Sequence, residues 1–173
     1  MSTSLSITLP EAVESIVTQK AFHSYGMLTA NEAALRHQLE VLTVEDLFPK
    51  PVTDRQMGMC CLSGLWLLHN FLDESHTISQ SLHSEEGSFW HAIMHRWEGD
   101  YSNSKYWYRH VGPHPVLESV STSIGSHWDP FEFVDRCQAE DRRGGLSEPT
   151  RAIALAEWKS LFEYCYTHAL EQS

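Results

Sequence analysis

LLHNFLDESHTISQ (residues 67–80) and FWHAIMHRWEGDYSNSKYWYRHVGPHP (residues 89–115) carry the periodicity that decides the fold. At 100° per residue, Phe89, Ile93 and Trp97 fall on one apolar stripe with Trp90 and Met94 beside it. His91, His95 and Glu98 share a different face at i, i+4 and i+7. In the first stretch, Leu62, Trp66, His69, Asp73, His76 and Gln80 line one face of a helix expected from about Asp54 to Leu82, with a kink near Asp73 to Ser75. Leu65 and Leu72 flank that face, which buries His69 and leaves Asp73 and His76 where the stripe turns polar. Two such helices joined near Glu85 form an antiparallel hairpin. His76 and His95 are then almost equidistant from the apex and lie at one level, with His69 about 10 Å further along by the helical rise.

Outward from this hairpin the punctuation is also helical, and no run of alternating Val, Ile and Thr is long enough for a sheet. Pro10 opens a short helix over 11–22, and Thr29 with Glu32 forms a capping box for a second that ends near Leu42. The Pro49-Lys50-Pro51 turn precedes the central helix, and Glu86-Gly87 reads as the connection to a helix over 89–98. Gly99-Asp100 restarts the chain as a helix from Tyr101 to His110, closed by Gly112 and Pro113. Asp129-Pro130 provides an N-cap and a first-turn proline for a helix to about Ala139. Ser147 and Pro149 start the last helix, where Leu155, Trp158, Phe162, Cys165 and Ala169 recur along one face. With no internal repeat or long linker, the expectation is a single all-α helical domain over 1–173, with 1–8 disordered.

A chain of 173 residues that is 42% hydrophobic can bury one continuous core. Twelve Lys and Arg against 23 Asp and Glu leave a net charge of −11, which repels a phosphate backbone and argues against nucleic acid. Residues 91–114 run against this trend, with Arg96, Lys105 and Arg109 facing only Glu98 and Asp100, a setting for a small polar or anionic molecule. The plainer alternative pairs Arg96 and Arg109 with Glu98 and Asp100 on solvated faces. Cys60, Cys61, Cys137 and Cys165 lack CxxC spacing and read as buried free thiols. The first residues lack a basic region followed by an apolar core, so no signal peptide is expected and a cytoplasmic location is. The longest uncharged stretch, Gln56 to Leu72, is short for a bilayer span and carries His69 and Asn70, so no membrane association is expected.

Seven of the eleven histidines lie between Trp66 and His114. On the hairpin, His76, His91 and His95 can serve as imidazole ligands, with His69 nearby and Asp73 as a ligand or orienting carboxylate. Nitrogen and oxygen donors suit a divalent zinc, iron or manganese ion. A three-ligand site leaves a position for water or a substrate oxygen, which is hydrolase or oxygenase chemistry; His91, His95 and Asp73 are then the catalytic candidates. The spacing is not diagnostic, because Ala92, Ile93 and Met94 replace the glutamate of HExxH and no ExxH pair is present. Two other readings stand beside it: metal-free acid/base chemistry, or His91 and His95 on a wet helix face with His69 in the core bonded to a backbone carbonyl.

DYSNSKYWYRH (100–110) is a second constellation. Asn103, Lys105, Tyr106 and Arg109 are candidates for holding a polar ligand, since aromatic area gives stacking and amide, phenol and guanidinium groups give directed hydrogen bonds. Alternatively, Tyr106, Trp107 and Tyr108 pack a short buried helix that Asp100 caps. The expected site is a cleft between this helix and the His91/His95 helix; His110 and His114 flank Pro113 as loop residues, with His114 able to reach that cleft.

From Trp90 to Gly112 the chain resembles the central signature of a family of conserved, uncharacterised proteins, W-H-x-I-x-H-R-x-E-x-D-x-x-N-x-K-Y-W-x-R-x-V-G. Trp97 and His110 stand where arginine is more usual in that pattern. The resemblance covers only this segment and implies no known activity, but a motif so rich in titratable residues is hard to explain by packing alone. Taken together, the expectation is a small-molecule enzyme or enzyme-like protein with a His/Asp cluster and an aromatic cleft. The alternative is a metal-free ligand-binding or protein-interaction module.

Overall fold

Short polar residues start the helices by satisfying first-turn N–H groups that have no intrahelical acceptor. Asp54 accepts from Gln56 and Met57, Ser84 from Gly87, Asp100 from Asn103, and Asp129 from Phe131 and Glu132. The computed structural model describes residues 5–18 and 32–171, and every regular element in them is helical. The order is α1 (Glu11–Thr18), α2 (Glu32–Glu40), a 3₁₀ turn (Glu45–Leu47), α3 (Arg55–Leu68), α4 (Leu72–Ser79), α5 (Glu85–Trp97), α6 (Tyr101–Val111), α7 (Pro115–Ile124), α8 (Pro130–Asp141) and α9 (Glu148–Leu170). The all-α expectation thus holds. Thr29, half of the anticipated capping box, and the end of the first predicted helix beyond residue 18 lie outside the described residues.

Helix α3 is buried along most of its length and packs on α4, α5 and α9, while α5 packs on α6, α6 on α8, and α7 on α9. The centre is aromatic: Trp90 and Trp158 meet at 6.2 Å, Trp158 stacks on Phe162 at 4.8 Å, and Trp158 Nε1 donates to the Gly64 carbonyl at 2.8 Å. Gly64 is what permits this, because a Cβ there would stand 2.8 Å from the Trp90 ring. No helix among the described residues is long and apolar enough to cross a membrane, and all four cysteines are buried and free.

The chain departs from the sequence reading in several places. The helix expected from Asp54 to Leu82 is two helices. His69 caps α3, and Asn70 adopts a left-handed φ of 63°, which asparagine tolerates better than most residues, so the break falls before Asp73. The face drawn from Leu62 to Gln80 is therefore not continuous. Instead α4 folds back on α3, with Ser63 Oγ 3.0 Å from Ser75 Oγ and both residues wholly buried. Glu86-Gly87 is not a connection but lies in the first turn of α5, which starts directly after the Ser84 cap; Gly87 is required because a Cβ would sit 2.5 Å from the Leu82 carbonyl oxygen. Helix α7 was not anticipated. His114 caps it with Pro115 in its first turn, and Gly125 at φ 70° ends it, but its Ser/Thr-rich exposed face resembles loop sequence. Residues 5–8, expected to be disordered, run against α9: Ser6 N donates to Glu163 at 2.6 Å and Tyr166 Oη donates to the Thr8 carbonyl at 3.0 Å.

Candidate metal centre

The hairpin expected at the centre is made by α4 and α5, joined through residues 80–84. One turn apart on α5, His91 and His95 face His76 of α4. The ring centroids lie 4.7 Å apart for His76 and His91, 5.5 Å for His76 and His95, and 4.7 Å for His91 and His95. One ring nitrogen from each lies within 4.8 Å of the others. The wet-face alternative is overturned for this pair, since His91 is 3% and His95 6% exposed, while His76 is half-buried. The cover comes from α4 on one side and α6 on the other.

His91 is the central member. Its ring is sandwiched between His95 and Trp107, stacking on the indole at 4.0 Å. Neither of its nitrogens has a hydrogen-bond partner among the described residues. Burial, reinforced by His95 and His76, pushes its pKa down to about 3, so the imidazole is neutral near pH 7 and keeps a free lone pair. His95 is fully engaged instead: Nδ1 is 2.5 Å from Glu98 Oε1, and Nε2 is 3.1 Å from the Asn103 amide nitrogen. The Asn103 amide nitrogen can only donate, so Nε2 accepts from it and the ring proton resides on Nδ1, facing Glu98. A carboxylate behind a histidine in this way fixes the tautomer and raises the basicity of the opposite nitrogen, the arrangement that orients metal-bound imidazoles.

Other candidates fall elsewhere. Among the described residues, the acidic, cysteine and histidine side chains close enough to share an ion are His76, His91 and His95, and separately His95, Glu98 and Asp100. Asp73 is in neither set; it is exposed and lines an open depression with Trp66, Glu74, Thr77 and Ile78. His69 also stands apart. It is half-buried rather than in the core, but it hydrogen-bonds the backbone of Ile16 as the core-histidine alternative had it, and burial lowers its pKa to about 4. The helix break explains both, because it resets the rotation of α4 relative to α3. On α6, Asn103 reaches His95, and Trp107 covers His91, with Tyr106 and His110 at 5.4 and 5.5 Å from Trp107. Lys105 points to α8, where it pairs with Asp135 at 2.6 Å, and the exposed Arg109, one turn on, shares that side of α6.

Sequence reasoning missed two partners. The spacing puts Glu98 on the face of His91 and His95, but its pairing with His95 three residues back was not drawn from it, the arginine pairing being the alternative offered. Trp107 was read as part of the second constellation, with no indication that its ring meets His91. Arg96 does not pair with Glu98 or Asp100; it is buried and bonded to Glu157 of α9 and Tyr108 of α6. His114 does stand in the connection between α6 and α7, but it does not reach the cleft: it is 4% exposed and lies 3.4 Å from Glu86, against Phe89 and Tyr164.

No family model, curated protein or solved structure matches this chain. Three imidazoles with one orienting carboxylate and a half-buried aromatic wall can ligate a borderline divalent ion, pass a proton, or bind a polar planar ligand.

Proposed function

We propose that this chain is a metal-dependent protein acting on a small polar molecule, with His76, His91 and His95 as the ligands of one divalent zinc, iron or manganese ion. The observation that carries the reading is His91: a buried imidazole with two unpartnered nitrogens loses about 1–3 kcal/mol of solvation per orphaned group, and an ion shared with two neighbouring imidazoles offsets that loss. Glu98 holds His95 in the tautomer that offers Nε2, and Trp107 fixes the His91 ring. Asp73 and His69 have no place in this reading. Such an ion supplies Lewis acidity, lowering the pKa of water or polarising a substrate oxygen, which suits a hydrolase or an oxygenase. Asn103 borders the cluster, and the exposed Tyr106 stands beside Trp107, so these are the groups available to a ligand; Lys105 is committed to Asp135. Residues His91, His95, Glu98, Asn103 and Trp107 all fall within the stretch that resembles the uncharacterised family. A cytoplasmic location fits the four buried free thiols.

The competing reading is a metal-free binding pocket, favoured by the Glu98–His95–Asn103 chain, which is satisfied without an ion. Cobalt(II) substitution separates the two. Visible ligand-field bands at one equivalent, lost in His76→Ala and in His91→Ala, support the metal reading. A wild-type chain that neither gives bands with cobalt nor retains zinc on dialysis overturns it.

A further inference from the structure

Asn103 occupies the lone pair that a metal ion needs. With the ring proton held on Nδ1 by Glu98, the only lone pair His95 can offer is on Nε2, and the Asn103 side-chain nitrogen donates to it at 3.1 Å. The same imidazole nitrogen cannot accept this hydrogen bond and ligate an ion at about 2.0–2.1 Å. His91 faces no such competitor, since neither of its nitrogens is engaged among the described residues. The three ligands are therefore not equivalent: one is open and one is masked.

We propose that Asn103 gates the site, its amide holding His95 Nε2 in the metal-free protein and turning away when His95 ligates. The inference rests on the three-histidine reading. Two features let the amide move without disturbing the fold. Asn103 belongs to the first turn of α6, but the cap there is made by its backbone N–H to Asp100 Oδ1 at 3.0 Å, not by its side chain. Its side chain is half-buried, with room toward solvent, whereas the neighbouring Ser104 is wholly buried and bonded to the Ala92 carbonyl at 2.7 Å, which pins α6 to α5 independently. Glu98 stays on Nδ1 throughout, so the ring keeps its orientation while its other edge changes partner. Asn103 is thus a positioning residue in the metal-free protein and a competitor of the metal.

The test compares zinc affinity, by competition with a chromophoric chelator, for the full-length wild type, Asn103→Ala and Asn103→Asp, with His91→Ala as the control. Losing one net hydrogen bond that competes with the ion tightens binding about fivefold in Asn103→Ala. Asn103→Asp, which cannot donate to Nε2 and adds a negative charge beside the ion, binds tighter still. Long-range ¹H–¹⁵N spectra of the imidazoles give a readout that a structural role would not move: His95 Nδ1 protonated before and after zinc, and the Asn103 amide resonances shifted only on loading. Zinc bound by the wild type with equal or lower affinity in Asn103→Ala refutes the gate and leaves the three-histidine site standing. A His95 proton on Nε2 in the metal-free protein refutes it as well. No zinc uptake by any variant refutes the site and the gate together.

Discussion

Replacing Glu157 with glutamine removes one charge from the interior of the bundle and leaves its partner behind. Arg96 and Glu157 have side chains 1% and 0% exposed and form a two-pronged pair, with Nη1 to Oε1 at 3.2 Å and Nη2 to Oε2. Tyr108 Oη closes the network, accepting from Arg96 at 2.8 Å and donating to Glu157. The guanidinium lies 4.7 Å over the Phe133 ring, so helices α5, α6, α8 and α9 all meet at this charge. Breaking a buried pair from one side costs about 3–5 kcal/mol, because the remaining buried charge loses the carboxylate that balances it. Against a total stability on the order of 5–15 kcal/mol that is a large fraction. At about 2–4 °C per kcal/mol for a chain of this length, Glu157→Gln lowers Tm by roughly 6–20 °C. Urea unfolding followed by circular dichroism and tryptophan fluorescence measures the loss directly. The double variant Arg96→Met/Glu157→Leu recovers most of it, since apolar side chains of similar volume need no counterion. A loss below about 1 kcal/mol in Glu157→Gln, or a double variant no better than the single, refutes the reasoning that this charge is sealed from water.

Gly64→Ala drives a Cβ to 2.8 Å from Trp90 Cζ2 and Cη2 and to 3.3 Å from Phe162, so overpacking destabilises by about 1–3 kcal/mol; an unchanged urea midpoint would show that α3 and α5 are not in such close approach. His69 contributes a pH dependence of defined sign. Its folded pKa of about 4 lies below the ordinary 6.5, so the unfolded chain takes up the proton first as pH falls, and the stability present above about 6.5 drains away toward pH 4. Between pH 7.5 and pH 5 the wild type therefore loses about 1–2 kcal/mol more than His69→Gln in urea titrations, and parallel losses in the two proteins would contradict the burial of a neutral imidazole.

The parts legible in the sequence were those with local causes. Asp100, Asp129 and Pro149 marked helix starts because capping is decided within three residues, and the His91/His95 spacing gave their shared face because one helix fixes it. The level of His76 against His95 also followed from counting along a hairpin, even though α3 and α4 are separate helices. Whatever depended on a distant chain was hidden. Asn70 carries no sign that it takes a left-handed φ, and that one residue removed His69 and Asp73 from the cluster. Arg96 finds Glu157 sixty-one residues later, a pairing that no local pattern announces. Trp107 reaches His91 only because α6 folds over α5, and Lys105 leaves the cleft only because α8 brings Asp135 beside it.

Elemental mass spectrometry on the untagged protein, purified without chelator and compared with His91→Ala/His95→Ala, tests the metal site most directly. About one equivalent of zinc, iron or manganese in the wild type and none in the double variant is the expected result. A wild-type protein that carries no metal, and takes up none on reconstitution while its helical circular-dichroism spectrum is intact, would contradict the site and turn the cluster into a metal-free pocket.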